Sequence, residues 1–161
     1  VEIAQALENL EFPKQRMKLL RGLRNSWIID DSYNASPLST HKALDTLKEF
    51  GDKTISKIGL GRKIAVLGDM LELGIFTERA HRLIGKLAGE KAEYLFTVGP
   101  AAKLIADSAF NQLSKENVMS FNEADEAGEY LKSFIQEGDI VLIKGSRAME
   151  MEKVVEKLIR V

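Results

Sequence analysis

The chain has 161 residues, 45% of them hydrophobic, which is enough to bury one core and predicts one domain. Its 23 basic and 24 acidic side chains leave a formal charge of −1, so there is no cationic excess for a sequence-blind grip on nucleic acid. The absence of cysteine excludes disulfides, thiolate metal sites and a cysteine nucleophile, and the two histidines, His41 and His81, lack metalloenzyme spacing.

The amino terminus, VEIAQALENL, carries acids where a secretion signal would carry bases, and no apolar run approaches the roughly 18 residues that cross a bilayer. A cytoplasmic, soluble domain with no membrane segment is expected. The first dozen residues fit no element. Residues 16–23 read as a strand, joined through Arg24-Asn25 to the next one and therefore its antiparallel hairpin partner. The runs 27–29, 64–67, 94–98, 118–121 and 140–143 are short, mostly apolar on both faces and each followed by a helical stretch. Strands of a parallel sheet covered on both sides have that pattern.

Turn chemistry marks the helix starts: Ser36 before Pro37, Gly99 before Pro100, Asn122 with Asp125 beyond it, and Ser146 after a glycine. Gly51 is read as the end of the first long helix, with Leu38, Ala43, Leu44 and Leu47 on its buried face. Met149, Met151, Val154, Val155 and Leu158 form the core side of the last helix. The predicted fold class is α/β: a Rossmann-like layered domain with a mostly parallel sheet of about six strands, one of them antiparallel, and helices on both faces.

Ligands of an open parallel sheet bind beyond the carboxyl ends of its strands, where loops enter helices. Those ends carry Asp30 to Asn34 after one strand, Gly68 to Gly74 after the next, Gly99-Pro100 after a third and Lys144 to Arg147 after the last. Asp31 alone reads as a local turn or cap. A second acid beside it, Asp30, adds repulsion unless a cation or a diol occupies the space. Lys144 to Arg147 reads as a strand end with a serine cap, yet an arginine just inside a helix amino terminus opposes the macrodipole and is rationalised by a bound anion. His41 reads as a surface or helix-packing histidine. Gly59-Leu60-Gly61 is no dinucleotide fingerprint, because it precedes a strand and lacks the third glycine.

One alternative is a standalone receiver-like or nucleotide-binding regulatory module, since acids after the first strand, Asp69, Thr97 and Lys144 echo a phosphoacceptor switch. That alternative leaves Tyr33-Asn34 and Glu72-Leu73-Gly74 unexplained, and Lys144 is followed by glycine where receivers have proline.

Taken together, DDSYNASP at 30–37, VLGDMLELG at 66–74 with His81 beyond it, and VLIKGSRAMEMEKVV at 141–155 closely resemble the carboxyl-terminal domain of the Mur ligases, in its dipeptide-adding MurF type. Asp31-Ser32-Tyr33-Asn34 stands where the related ligase that adds the third peptide residue typically has Asp-Tyr-Ala-His. The resemblance implies a three-domain ATP-dependent carboxylate–amine ligase of peptidoglycan synthesis. That enzyme joins D-Ala-D-Ala to UDP-N-acetylmuramoyl-tripeptide through an acyl phosphate. No GxxxxGK[ST] phosphate loop occurs here, and the Gly85-Lys86 pair is followed by leucine. Residues 12–161 are thus expected to be the third domain and residues 1–11 the end of an interdomain connection, with the amino-terminal and central ATPase domains outside the chain.

The resemblance further implies a monomer whose third domain closes over ATP and binds the incoming dipeptide, with Mg²⁺ held mainly by the central domain and no catalysis by the third domain alone. It assigns Arg16, Asp31, Tyr33 and Asn34 to the nucleotide, although Gln15 replaces the usual glycine before Arg16. It assigns Asp69, Glu72, His81, Lys144, Ser146 and Arg147 to the dipeptide or the closing interface. Ser36 replaces the family's more common asparagine and caps equally well.

Overall fold

The computed structural model describes residues 16–159. The expected interdomain connection, residues 1–11, and the expected domain boundary at residue 12 lie outside the described residues. Strands β1 (Lys18–Arg21), β2 (Trp27–Asp31), β3 (Lys63–Gly68), β4 (Tyr94–Val98), β5 (Val118–Phe121) and β6 (Ile140–Lys144) form one sheet in the order β1-β2-β6-β3-β4-β5. Among these described strands the β1–β2 pair alone is antiparallel. Its reversal runs through Arg24 and Asn25, both left-handed at φ 51° and 61°.

Helices α1 (Pro37–Ile58), α2 (Thr77–Lys91), α3 (Lys103–Ala109), α4 (Ala124–Phe134) and α5 (Glu152–Leu158) cover both faces. Successive strand side chains point to opposite sides of a sheet, and that alternation divides the core. Trp27, Ile29, Ala65, Leu67, Ile140 and Leu142 pack with Leu44, Leu47, Ile84 and Ile105 under α1, α2 and α3. Ile28, Ile64, Val66, Val141 and Ile143 pack with Leu131, Val154 and Leu158 under α4 and α5. β2 and β6 are buried at every position, which explains the unbroken apolar runs Trp27 to Ile29 and Ile140 to Ile143 that lead to their charged carboxyl ends.

Helix ends differ from expectation where room, and not residue type, decides. Ser36 caps α1 ahead of Pro37, as predicted, and Ser39 completes a reciprocal capping box with it. Gly51, however, lies inside α1, because the helix runs on to Ile58 and stops at Gly59, left-handed at φ 76°. A Cβ at Gly51 would lie 2.5 Å from Lys63 Cγ, so this glycine clears space for the lysine stem that crosses the helix. Leu38 is 65% exposed. It precedes Leu47 by two and a half turns and so falls on the opposite side of the helix. Glu123, not Asn122, holds the amino-cap position of α4; α3 begins at Lys103, after a turn at 100–102. Ser146 precedes a 3-10 turn, Arg147–Met149, without capping it by its side chain, and α5 begins only at Glu152.

At the amino ends of β3 and β6 the fully buried Asp139 accepts from Arg62 N, Nε and Nη2 and from Gln136 N. This knot anchors the amino end of the sheet's centre, opposite the candidate site. Among the described residues, no helix is long and apolar enough to cross a membrane.

Candidate functional site

β6 enters the sheet between β2 and β3, so the carboxyl ends of these three strands meet side by side. A receiver-like sheet keeps its last strand at an edge, and this insertion separates the fold from that alternative. The loop 32–36 after β2, the loop 69–76 after β3 and the segment 145–151 after β6 therefore share one rim.

The paired acids do not share a space. Asp30 lies on the side of Ile28 and Asp31 on the side of Ile29, by the alternation of β2. No cation or diol between them is required, because the strand itself separates the two carboxylates. Asp30, 5% exposed, accepts from Ser32 N at 3.1 Å and Ser32 Oγ at 2.6 Å, a closed local turn. Burial pushes its carboxyl above the usual range despite those hydrogen bonds. The folded group therefore holds its proton more tightly than the unfolded one, so its ionisation costs stability as pH rises through the carboxylate range, and the cost persists at neutral pH. Asp30→Asn is expected to leave the neutral-pH melting temperature unchanged or raised, since an amide oxygen still accepts from Ser32. Asp31→Asn is expected to lower it; thermal melts that rank the two the other way would refute this division of roles.

Asp31 faces β6. Its Oδ2 accepts from Lys144 Nζ at 2.6 Å and its Oδ1 from Met17 N at 3.1 Å. The same Nζ donates to the Asn34 carbonyl at 2.8 Å, and Lys144 is 3% exposed. Register explains the meeting, because Asp31 and Lys144 are direct partners across the parallel β2–β6 pair. By fixing Met17, Asp31 also fixes Arg16, whose guanidinium lies 4.6 Å from the centre of the Tyr33 ring. Tyr33 is 42% exposed, and Asn34 is exposed beside it.

Arg147 is exposed just beyond the end of β6, and its partner is Glu152 Oε1 at 2.6 Å. Glu152 holds the guanidinium more firmly charged than usual. This pairing corrects the macrodipole argument. Arg147 belongs to a 3-10 turn, and the first residue of α5 supplies its counter-charge, so no bound anion is needed.

The loop after β3 is pinned at three consecutive residues. Asp69 Oδ1 accepts from Ala102 N at 2.6 Å, at the start of α3. Met70 N donates to His81 Nε2 at 3.0 Å, and His81 Nδ1 lies 2.7 Å from the Thr77 carbonyl, which makes Nδ1 the protonated nitrogen. Leu71 N donates to Ser146 Oγ at 2.8 Å. Beyond these pins the chain turns through Glu72, left-handed at φ 62°, and leaves Glu72, Ile75 and Phe76 exposed.

The structure thus brings Arg16 and Tyr33 to the surface beside the buried Asp31–Lys144 pair, with Asn34 next to them and Arg147 exposed just beyond Lys144. Asp69 through its Oδ1, His81 through both ring nitrogens and Ser146 through its hydroxyl are buried braces, and Glu72 stands apart on the exposed turn. Sequence reasoning missed Glu152 and the backbone of Met17, Met70 and Leu71. Glu152 sits inside the quoted third motif, and its spacing from Arg147 is the signal that was available. Among the described residues, no group of three or more His, Cys, Asp or Glu side chains could hold a metal ion.

The family model described as "Mur ligase, glutamate ligase domain" matches residues 15–147. The UDP-N-acetylmuramoyl-tripeptide–D-alanyl-D-alanine ligase of Bacillus subtilis is 34% identical over 159 residues, 98% of this chain and 33% of that protein. The ligase of the same name from Escherichia coli is 30% identical over 161 residues, 97% of this chain and 32% of that protein. Among solved structures, MurF ligase from Thermotoga maritima in complex with ADP matches with a TM-score of 0.73 at 26% identity, over 92% of this chain and 31% of that one. MurF from Acinetobacter baumannii matches with a TM-score of 0.74 at 26% identity, over 94% and 32%. The chain spans about a third of the length of these relatives.

Proposed function

The chain belongs to the Mur ligase family, and on that premise we propose that it is the carboxyl-terminal domain of an ATP-dependent ligase joining D-Ala-D-Ala to UDP-N-acetylmuramoyl-tripeptide. In this reading the parent enzyme is a cytoplasmic monomer, residues 1–11 lead in from its central ATPase domain, and the chain alone makes no peptide bond. The observation that carries the reading is the assembly at the ends of β2 and β6, where Arg16 lies over the exposed Tyr33 beside the buried Asp31–Lys144 pair and Arg147 is exposed just beyond Lys144.

When bound, ATP supplies the phosphoryl group that activates the carboxylate for attack by the dipeptide amine. The residues of this domain bind and orient the reactants, and positioning and charge stabilisation are what such a reaction most needs. A carboxylate has about four acceptor sites. Asp31 uses two of them within the chain, leaving capacity for ribose hydroxyls. Tyr33 offers a ring face and Asn34 an exposed edge to the same nucleotide, with Arg16 beside its phosphates. Arg147 suits the terminal carboxylate of the dipeptide, and the exposed Glu72 suits its ammonium group. Ser146, His81 and Asp69 serve the dipeptide side through the 69–76 loop they hold, and Lys144 ties that strand end to Asp31 and Asn34 on the nucleotide side. No group of three or more carboxylate or imidazole side chains gathers for an ion among the described residues, and the reading leaves Mg²⁺ mainly to the central domain.

Arg16→Ala and Arg147→Ala in the full-length ligase test the reading, because both side chains are exposed and neither carries the core. Each change removes charge-assisted hydrogen bonds worth about 1.5 to 3 kcal/mol, a loss of about 10- to 100-fold. Arg16→Ala is expected to raise mainly the KM for ATP and Arg147→Ala mainly that for D-Ala-D-Ala. Wild-type kinetics in both variants, or no ligation by the parent protein, would overturn it.

A further inference from the structure

Ser146 sits where the rim loops converge, and its environment differs from that of a ligand-binding hydroxyl. It is 4% exposed. Its backbone N–H donates to the Asp69 carbonyl at 2.9 Å, its Oγ accepts from Leu71 N at 2.8 Å, and the same Oγ reaches the Ala35 carbonyl at 3.5 Å. A hydroxyl is the smallest side-chain group that accepts and donates at once. The preceding residue is tightly packed against both neighbouring segments: a Cβ on Gly145 would lie 2.6 Å from Met151 Cγ and 3.1 Å from Gly68 Cα.

We infer that Ser146 is a positioning residue that locks the 69–76 loop, on the amine side, to the 32–36 loop, on the nucleotide side, without touching either substrate. Two residues earlier on the same strand end, Lys144 ties down Asp31 and Asn34. The segment 144–146 therefore joins both loops to one rigid strand, and the distance between the exposed Tyr33 and Glu72 is set through Ser146. This inference rests on the ligase reading above for what the two loops hold; the hydrogen bonds themselves stand independently of it.

The test has two arms. In the chain itself, Ser146→Ala should speed amide exchange at Leu71 about tenfold by removing its acceptor and should shift the backbone resonances of Ala35, with a melting temperature close to the parent; Ser146→Thr, which keeps the hydroxyl, should restore protection at Leu71. In the full-length ligase, Ser146→Ala should raise KM for ATP and D-Ala-D-Ala together by about tenfold, because misplaced loops weaken both sites. A merely structural loss would lower the active fraction, and so kcat, at unchanged KM. Unaltered exchange at Leu71 would overturn the lock. Faster exchange with both KM values unchanged would overturn the positioning role while leaving the ligase reading intact. Absence of ligation by the wild-type parent would sink that reading and the positioning role with it, a result that exchange in the chain cannot imitate.

Discussion

Lys144→Met is expected to destabilise the chain by about 3 to 5 kcal/mol, the cost of stripping one partner from a buried ion pair. Methionine fills much the same volume, so packing changes little. The Asp31 carboxylate, its side chain 11% exposed, then loses its counter-ion and keeps the Met17 N–H as its described partner. The Asn34 carbonyl loses its donor as well. Pairing the change with Asp31→Asn should recover part of the loss, because removing both charges leaves neither one buried alone. Urea unfolding at constant slope is the measurement. A single-variant loss below about 1 kcal/mol would show that the pair behaves as a solvated surface bridge. The same variant should loosen Arg16, since Asp31 places Met17 and Met17 carries its neighbour over Tyr33.

The strands were legible because their burial has a local signature. Runs such as Ile64 to Leu67 are aliphatic at every position, which a strand needs when helices cover both its faces. The antiparallel β1 was legible from Arg24-Asn25, whose observed left-handed backbone performs the reversal. The errors share one cause: the sequence shows residue type, whereas spatial partners decide what the type does. Gly51 looked like a helix stop, but it is a space left for Lys63 from β3. Asp30 and Asp31 looked like one site because they are adjacent in the chain, and adjacency in a strand means opposite faces. The motif containing His81 was visible in its resemblance to a family. That both ring nitrogens are taken by Thr77 and Met70 depends on how the loop after β3 folds back on α2. Arg147 was read against a helix dipole, because no local signal distinguishes a 3-10 turn from the first turn of an α-helix.

Gly99→Ala is expected to cost about 2 to 6 kcal/mol, from about 1 to 3 kcal/mol of backbone strain plus a similar overpacking cost. Gly99 has φ 105°, a conformation that side chains with a Cβ rarely adopt. A Cβ there would lie 2.6 Å from Asp69 Oδ1 and 2.7 Å from both Asp69 Cγ and Met149 Cε. Asp69 cannot retreat freely: it is 3% exposed, its Oδ1 holds Ala102 N, and its own N–H donates to the Val98 carbonyl. Relief of the clash therefore moves the carboxylate off the start of α3 and carries Met70 and Leu71 with it, away from His81 and Ser146. The two contributions separate in a double-mutant cycle. With Asp69→Ala already in place the carboxylate clash is gone and only the flexible end of Met149 remains against the new Cβ, so adding Gly99→Ala should cost little more than the strain, and the two losses should sum to more than the double variant shows. Strictly additive losses would mean that Gly99 is needed for its backbone alone and makes no room for the carboxylate that pins the loop.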